Sequence, residues 1–187
     1  MSSVRLIATV FFLVVMFGLS GCDGITDDLL PSGEDKRPDV EAGTIGTQVG
    51  QQSPDFSLFD TLGNSRGLYD ELAKPGVTGV VLYYTMWCPI CEVHMKDLRK
   101  NVVPSFPTVK FFLVDYVSGS ISVSRATQQS YGYTGIDTLV DNDQAVLDLY
   151  QATMGTTVVI NSAGNIVEMN EDYKDGVKLT ETLQALP

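Results

Sequence analysis

The stretch Gly79-Val80-Val81-Leu82-Tyr83-Tyr84-Thr85-Met86-Trp87-Cys88-Pro89-Ile90-Cys91 decides the fold. Residues 79–84 are a continuous apolar, β-branched and aromatic run, the pattern of a strand buried on both faces. The run leads straight into a C-x-x-C. Beyond it Cys91, Met95, Leu98 and Val102 recur at i, i+4, i+7 and i+11, with Glu92, Lys96, Asp97 and Lys100 on the other faces. That is one side of an amphipathic helix. Cys88 therefore falls at the helix N-cap and Pro89 at the first helical position, where its missing N–H costs nothing. A helix N-terminus offers unpaired amides and a partial positive charge, and both stabilise a thiolate. Cys91 lies one turn deeper, close enough to close a disulfide with little backbone change. The expected pair is an exposed, attacking Cys88 of lowered pKa and a shielded, resolving Cys91.

Other uses of a C-x-x-C fit less well. A structural zinc site needs four ligands, and the only other soft candidate nearby is His94. No second C-x-x-C exists, and residue 92 is Glu where a c-type haem site needs His. Thiol redox chemistry that needs no cofactor and no metal is the reading. The third cysteine, Cys22, lies far upstream, so a disulfide-stapled miniprotein is excluded.

The 187 residues allow one domain or two small ones. Twelve Lys and Arg stand against 23 Asp and Glu, a net charge of −11, which argues against a nucleic-acid partner. Hydrophobic residues at 44% suffice for a packed core.

Residues 1–21 read as an export signal: Arg5 supplies the positive start, and residues 6–17 are apolar and uncharged. At about a dozen residues the run is short for a bilayer core of roughly 30 Å. It ends in Leu19-Ser20-Gly21-Cys22, which resembles the bacterial lipobox, in which the Cys is lipidated and cleavage occurs before it. Export leaves Cys88 and Cys91 where disulfides persist. Residues 22–48 are acidic and rich in Gly, Pro, Ser and Asp, a flexible tether apart from a possible packed arm around Ile45 and Val49. Asp23 resembles the inner-membrane retention signal of enteric lipoproteins. The expected location is thus the outer, periplasmic face of a bacterial inner membrane.

Residues 49–187 form the domain. Residues 54–59 alternate in polarity before the Gly63-Asn64 turn signal, suggesting a short hairpin. Residues 68–73 could form a helical turn, 109–114 a second buried strand, and 118–130 and 145–150 short helices. Residues 156–160 and 165–169 are strands split by Ser162-Ala163-Gly164, and an amphipathic helix closes the chain over 177–186. The alternation predicts a three-layer α/β domain with a mixed central sheet and an N-terminal hairpin extension.

With these residues in hand, the chain resembles the thioredoxin fold, and within it the exported TlpA/ResA-like and redoxin (AhpC/TSA-like) branch. Gly50 through Leu58 resembles the branch's G-x-x-x-P-D-F-x-L opening, and Leu139-Val140-Asp141-Asn142 its l-x-D-x segment. Residues 156–167 resemble its T-T-x-x-I-D-x-x-G-x-I-V strand pair. The resemblance implies a substrate groove formed by Trp87, Pro89, Gly155 and Thr156, substrates that are protein or peptide thiols and disulfides, and a membrane electron donor or acceptor. Three departures stand out. Gly155 replaces the branch's cis-proline, which leaves the groove looser or its backbone trans. His94 replaces a buried Glu and could take the proton from Cys91. Lys96 replaces a helix-kinking Pro, so the helix should run straighter.

Two alternatives belong to other classes. A peroxiredoxin-like peroxidase would use Thr85 beside the reacting Cys, but Val81 stands where its motif has Pro, and Arg125 is the only Arg beyond the helix that follows the cysteines. A Cu(I)-binding metallochaperone would use Met86, Cys88, Cys91, His94 and Met95 as soft ligands.

Overall fold

The structure is a computed structural model, and it describes residues 40–133, 135–170, 173 and 175–187. The stretch read as an export signal, Cys22 and most of the expected tether lie outside the described residues.

Seven strands form one sheet: β1 (Ser57–Asp60), β2 (Ser65–Gly67), β3 (Gly79–Thr85), β4 (Val109–Asp115), β5 (Asp137–Val140), β6 (Thr157–Asn161) and β7 (Ile166–Asn170). Their order is β2-β1-β5-β4-β3-β6-β7. The centre, β5-β4-β3, is parallel, and β1 and β6 join it antiparallel, so the sheet is mixed as expected. Strand β5 was not expected as a strand, because four residues carry too little periodicity. The helices are α1 (Leu68–Leu72), α2 (Pro89–Asp97), α3 (Ile121–Ser130), α4 (Ala145–Leu149) and α5 (Val177–Gln184).

Strand β3 explains the layering. Every residue in it is buried, and alternate side chains serve two cores. Val81 and Tyr83 join Cys91, Met95, Leu98 and Val102 of the cysteine helix and Leu179 and Leu183 of α5. Val80, Leu82 and Tyr84 join Leu68 and Leu72 of α1, with Val146 and Tyr150, on the opposite face. A strand covered on both faces has no polar side to offer, hence its uninterrupted apolar run.

The straight helix expected from Lys96 is corrected. Regular α-geometry stops at Asp97, and the chain passes through a π-helical turn (Leu98–Val102) into a 3₁₀ turn (Val103–Ser105). Pro104 lacks the amide that an unbroken helix would aim at the Lys100 carbonyl, and its ring crowds that carbonyl. Widening the turn keeps Leu98 and Val102 both in the core.

The hairpin is organised by Asp60. Its carboxylate accepts the amides of Leu62 and Asn64 at 2.9 Å each, and Gly63 takes the left-handed conformation (φ +85°) that the turn requires. Before the hairpin, the Gly46 amide donates to the Gln52 carbonyl and that of Gln52 to the Thr44 carbonyl. Residues 44–52 thus form an ordered turn, while Ile45 stays 73% exposed.

Candidate active site

The site is built where β3 hands over to α2. Cys88 is the N-cap of α2 in an extended conformation (φ −82°, ψ 164°), with Pro89 at the first helical position, as the spacing predicts. The Cys91 amide donates to Cys88 Sγ at 3.1 Å, and the two sulfurs are 2.8 Å apart as free thiols. Cys88 is half-buried and Cys91 fully buried. Burial pushes the Cys88 thiol up, but hydrogen bonds from the Cys91 thiol and from the amides of Cys91, Ile90 and Cys88 outweigh it, so its pKa lies below the ordinary value. Burial and the Cys88 sulfur push Cys91 the other way.

Two further segments converge on the sulfurs. The β3–β6 ladder continues past the strand ends: the Tyr84 amide donates to the Thr156 carbonyl at 3.0 Å and the Gly155 amide to the Tyr84 carbonyl at 2.9 Å. This brings the residue before Gly155, Met154, against Cys88, whose thiol donates to Met154 Sδ at 3.1 Å. Sequence reasoning missed Met154, although its place next to Gly155 was the available signal. The described peptide bonds are all trans, the second of the two outcomes left open for Gly155. Gly155 takes φ +86° and uses its amide, so a proline could neither adopt the angle nor make the bond. Alanine there should cost about 1–2 kcal/mol of stability, read as an earlier urea midpoint for Gly155→Ala, because an L side chain resists that conformation. An unchanged midpoint would show that the turn relaxes freely.

Trp87, expected in the groove, is instead only 7% exposed and takes the left-handed conformation (φ 58°). Its ring stacks on Tyr131 with centroids 5.9 Å apart, and the Tyr131 hydroxyl donates to the Trp87 carbonyl at 2.9 Å. Tyr133 continues the cluster, donating to the Glu92 carbonyl, with Arg99 over its ring at 5.6 Å. Neither tyrosine was singled out from sequence. Thr156 is also corrected as a groove residue: it is fully buried, and its hydroxyl accepts the Thr153 amide, closing the loop before β6.

His94 lies on α2 with its Nδ1 at 3.1 Å from the Tyr83 hydroxyl and its ring 5.2 Å from that of Tyr173. Tyr83 is buried, and burial with the two nearby thiols pushes its ionisation far above the ordinary range. It stays a neutral phenol in any usable pH. Of the soft ligands suggested for copper, Met95 is fully buried in the core and Met86 is 43% exposed. Among the described residues no three His, Cys, Asp or Glu side chains gather as a metal site. Thr85 serves the active-site turn, accepting the Trp87 amide, whereas Arg125 is exposed on α3.

Comparison with known proteins fits this geometry. The thioredoxin-like protein YneN of Bacillus subtilis is 26% identical over 128 residues, 67% of this chain and 73% of that protein. A secreted Mycobacterium tuberculosis disulfide oxidoreductase homologous to E. coli DsbE superposes with a TM-score of 0.57 at 18% identity, covering 70% of this chain and 96% of the other. The peroxidoxin BcpB of the same organism gives a TM-score of 0.63 at 18% identity, over 75% and 99%. The family profile described as AhpC/TSA matches residues 49–169, from the ordered turn to β7, and includes the dithiol. By that match the chain belongs to the AhpC/TSA family, thiol-redox enzymes on a thioredoxin-like fold.

Proposed function

We propose that the protein is a lipid-anchored thiol–disulfide oxidoreductase of the bacterial envelope that acts on exported proteins through Cys88 and Cys91. The observation that carries this reading is the asymmetry of the pair: one half-exposed thiol of lowered pKa on a helix N-terminus, touching one buried thiol of raised pKa. The Cys88 thiolate attacks a substrate disulfide and forms a mixed disulfide. Cys91 then loses its proton to His94, whose ring Tyr83 holds, and attacks Cys88 Sγ, releasing the substrate as a dithiol. Exposed Ile90 and Met86 flank Cys88 and suit an apolar peptide segment. Dithiol exchange is favoured over peroxide reduction because the exposed Arg125 offers a peroxidase little.

Iodoacetamide tests the pair. Thiolate fraction rises with pH through the pKa, so a lowered pKa moves alkylation to lower pH. Cys88 should react with a midpoint below the free-thiol value of about 8.5, and Cys91 only well above it. A shared midpoint would refute the assignment.

Anchoring rests on residues 1–48: the signal-like run, the lipobox-like Cys22, the tether and the boundary near residue 49. No helix among the described residues is long and apolar enough to cross a membrane. Cys22→Ser should leave an unprocessed precursor that takes up no labelled palmitate. A variant still processed and still membrane-bound would rule the anchor out.

A further inference from the structure

We propose that Met154 is a reversible oxidation site, and that the Cys88–Cys91 dithiol reduces its sulfoxide within the same molecule. The proposal rests on the dithiol reading above. Its basis is position: Met154 Sδ is 3.1 Å from Cys88 Sγ, and Cys88 Sγ is 2.8 Å from Cys91 Sγ. Three sulfurs in sequence, each touching the next, form a path for two electrons. The separation falls within the roughly 3–3.5 Å of a near-attack arrangement, where intramolecular reaction needs no encounter.

The chain holds Met154 there from both sides. Gly155 is tied to Tyr84 through its amide, and Thr156 closes the loop through the Thr153 amide. Met154 is only half-buried, so a small oxidant can reach its sulfur, whereas Met95 is sealed in the core. Met86 is more open still, at 43%, and serves as an internal control.

Hydrogen peroxide transfers one oxygen to Met154 Sδ and leaves as water. The Cys88 thiolate attacks that sulfur, an Sγ–Sδ bond forms, and the sulfoxide oxygen departs as a second water, its two protons drawn from the two thiols. Cys91 then attacks Cys88 Sγ, the Sγ–Sδ bond breaks, and the thioether is the leaving group. In sum, sulfoxide and two thiols give thioether, disulfide and water. The disulfide is reopened by whichever thiol donor serves the main cycle. The second step is the one Cys91 performs on a mixed disulfide, with Met154 in place of substrate.

The test uses the full chain in its Cys88–Cys91 disulfide form, so that peroxide oxidises methionines and spares these two cysteines. The disulfide is then opened with one equivalent of a phosphine under nitrogen, and each methionine peptide is followed by mass spectrometry. The Met154 sulfoxide should disappear about tenfold or more faster than the Met86 sulfoxide, with one Cys88–Cys91 disulfide re-formed per thioether recovered. Cys88→Ser, with Cys91 capped by a small-molecule disulfide during the peroxide step and freed by the phosphine, should retain both sulfoxides. Equal persistence in the unmutated chain overturns the proposal, as does failure of Met154 to take up oxygen under conditions that oxidise Met86. Insulin reduction by the same reduced sample tells whether such a failure is confined to Met154 or reaches the dithiol cycle itself.

Discussion

Cys88→Ser is expected to reduce insulin turnover to the uncatalysed background, while Cys91→Ser still attacks substrate but accumulates mixed disulfides through Cys88. The two effects follow from position. Only Cys88 is both half-exposed and supplied with helix-terminal amides, so no other described thiol can begin the reaction. Cys91 is buried beneath it and in contact, so its removal spares the first step and stops the second. The double variant should be no worse than Cys88→Ser alone, because residues acting as a unit are not additive. Trapped substrate on Cys88→Ser, through Cys91, would reverse the roles.

How much of this was legible in the sequence depends on how local each cause is. The N-cap placement of Cys88 and the burial of Cys91, Met95, Leu98 and Val102 follow from spacing along one segment, and the structure agrees. Long, strongly patterned strands such as β3 announce themselves for the same reason. The π-turn depends on Pro104, six residues past the start of the irregularity at Leu98, and so escaped an expectation built on residue 96. Met154, Tyr131 and Tyr133 were invisible because sheet register and a loop return them to the site from 41 to 66 residues away. Trp87 misled because an aromatic beside a reactive Cys suggests a substrate surface, whereas its ring is consumed by the stack on Tyr131. Thr156 misled for the opposite reason: a polar residue near the groove found its partner in the backbone.

Arg66→Met is expected to lower stability by about 3 kcal/mol at neutral pH, and the loss should shrink on acidification. Arg66 is the common partner of three carboxylates: Nε reaches Asp60 at 3.0 Å, Nη1 Glu71 at 3.1 Å and Nη2 Asp137 at 3.6 Å. The side chains of Asp60 and Glu71 are each 3% exposed, so removing the cation leaves two buried charges without their shared partner. Lys74 still pairs with Glu71 at 2.6 Å and Asn64 still donates to Asp60, which holds the loss at the lower end of the range for broken buried pairs. Burial pushes both carboxyls up, but hydrogen bonds from Asn64 and Arg66 to Asp60, and from Lys74 and Arg66 to Glu71, bring both below their ordinary values. Groups depressed in this way contribute stability that is present above the unfolded pKa of about 4 and is lost as pH falls through the folded values. In the variant the upward push of burial is less opposed, so the carboxyls take up protons at higher pH, and a neutral carboxyl no longer needs the arginine. Urea unfolding should therefore show a wide gap between wild type and variant at pH 7 and a narrow one at pH 4. Arg66→Lys should close only part of it, since an ammonium cannot span three carboxylates as the guanidinium fork does. A gap of constant width across that range would mean that Arg66 contributes by packing alone.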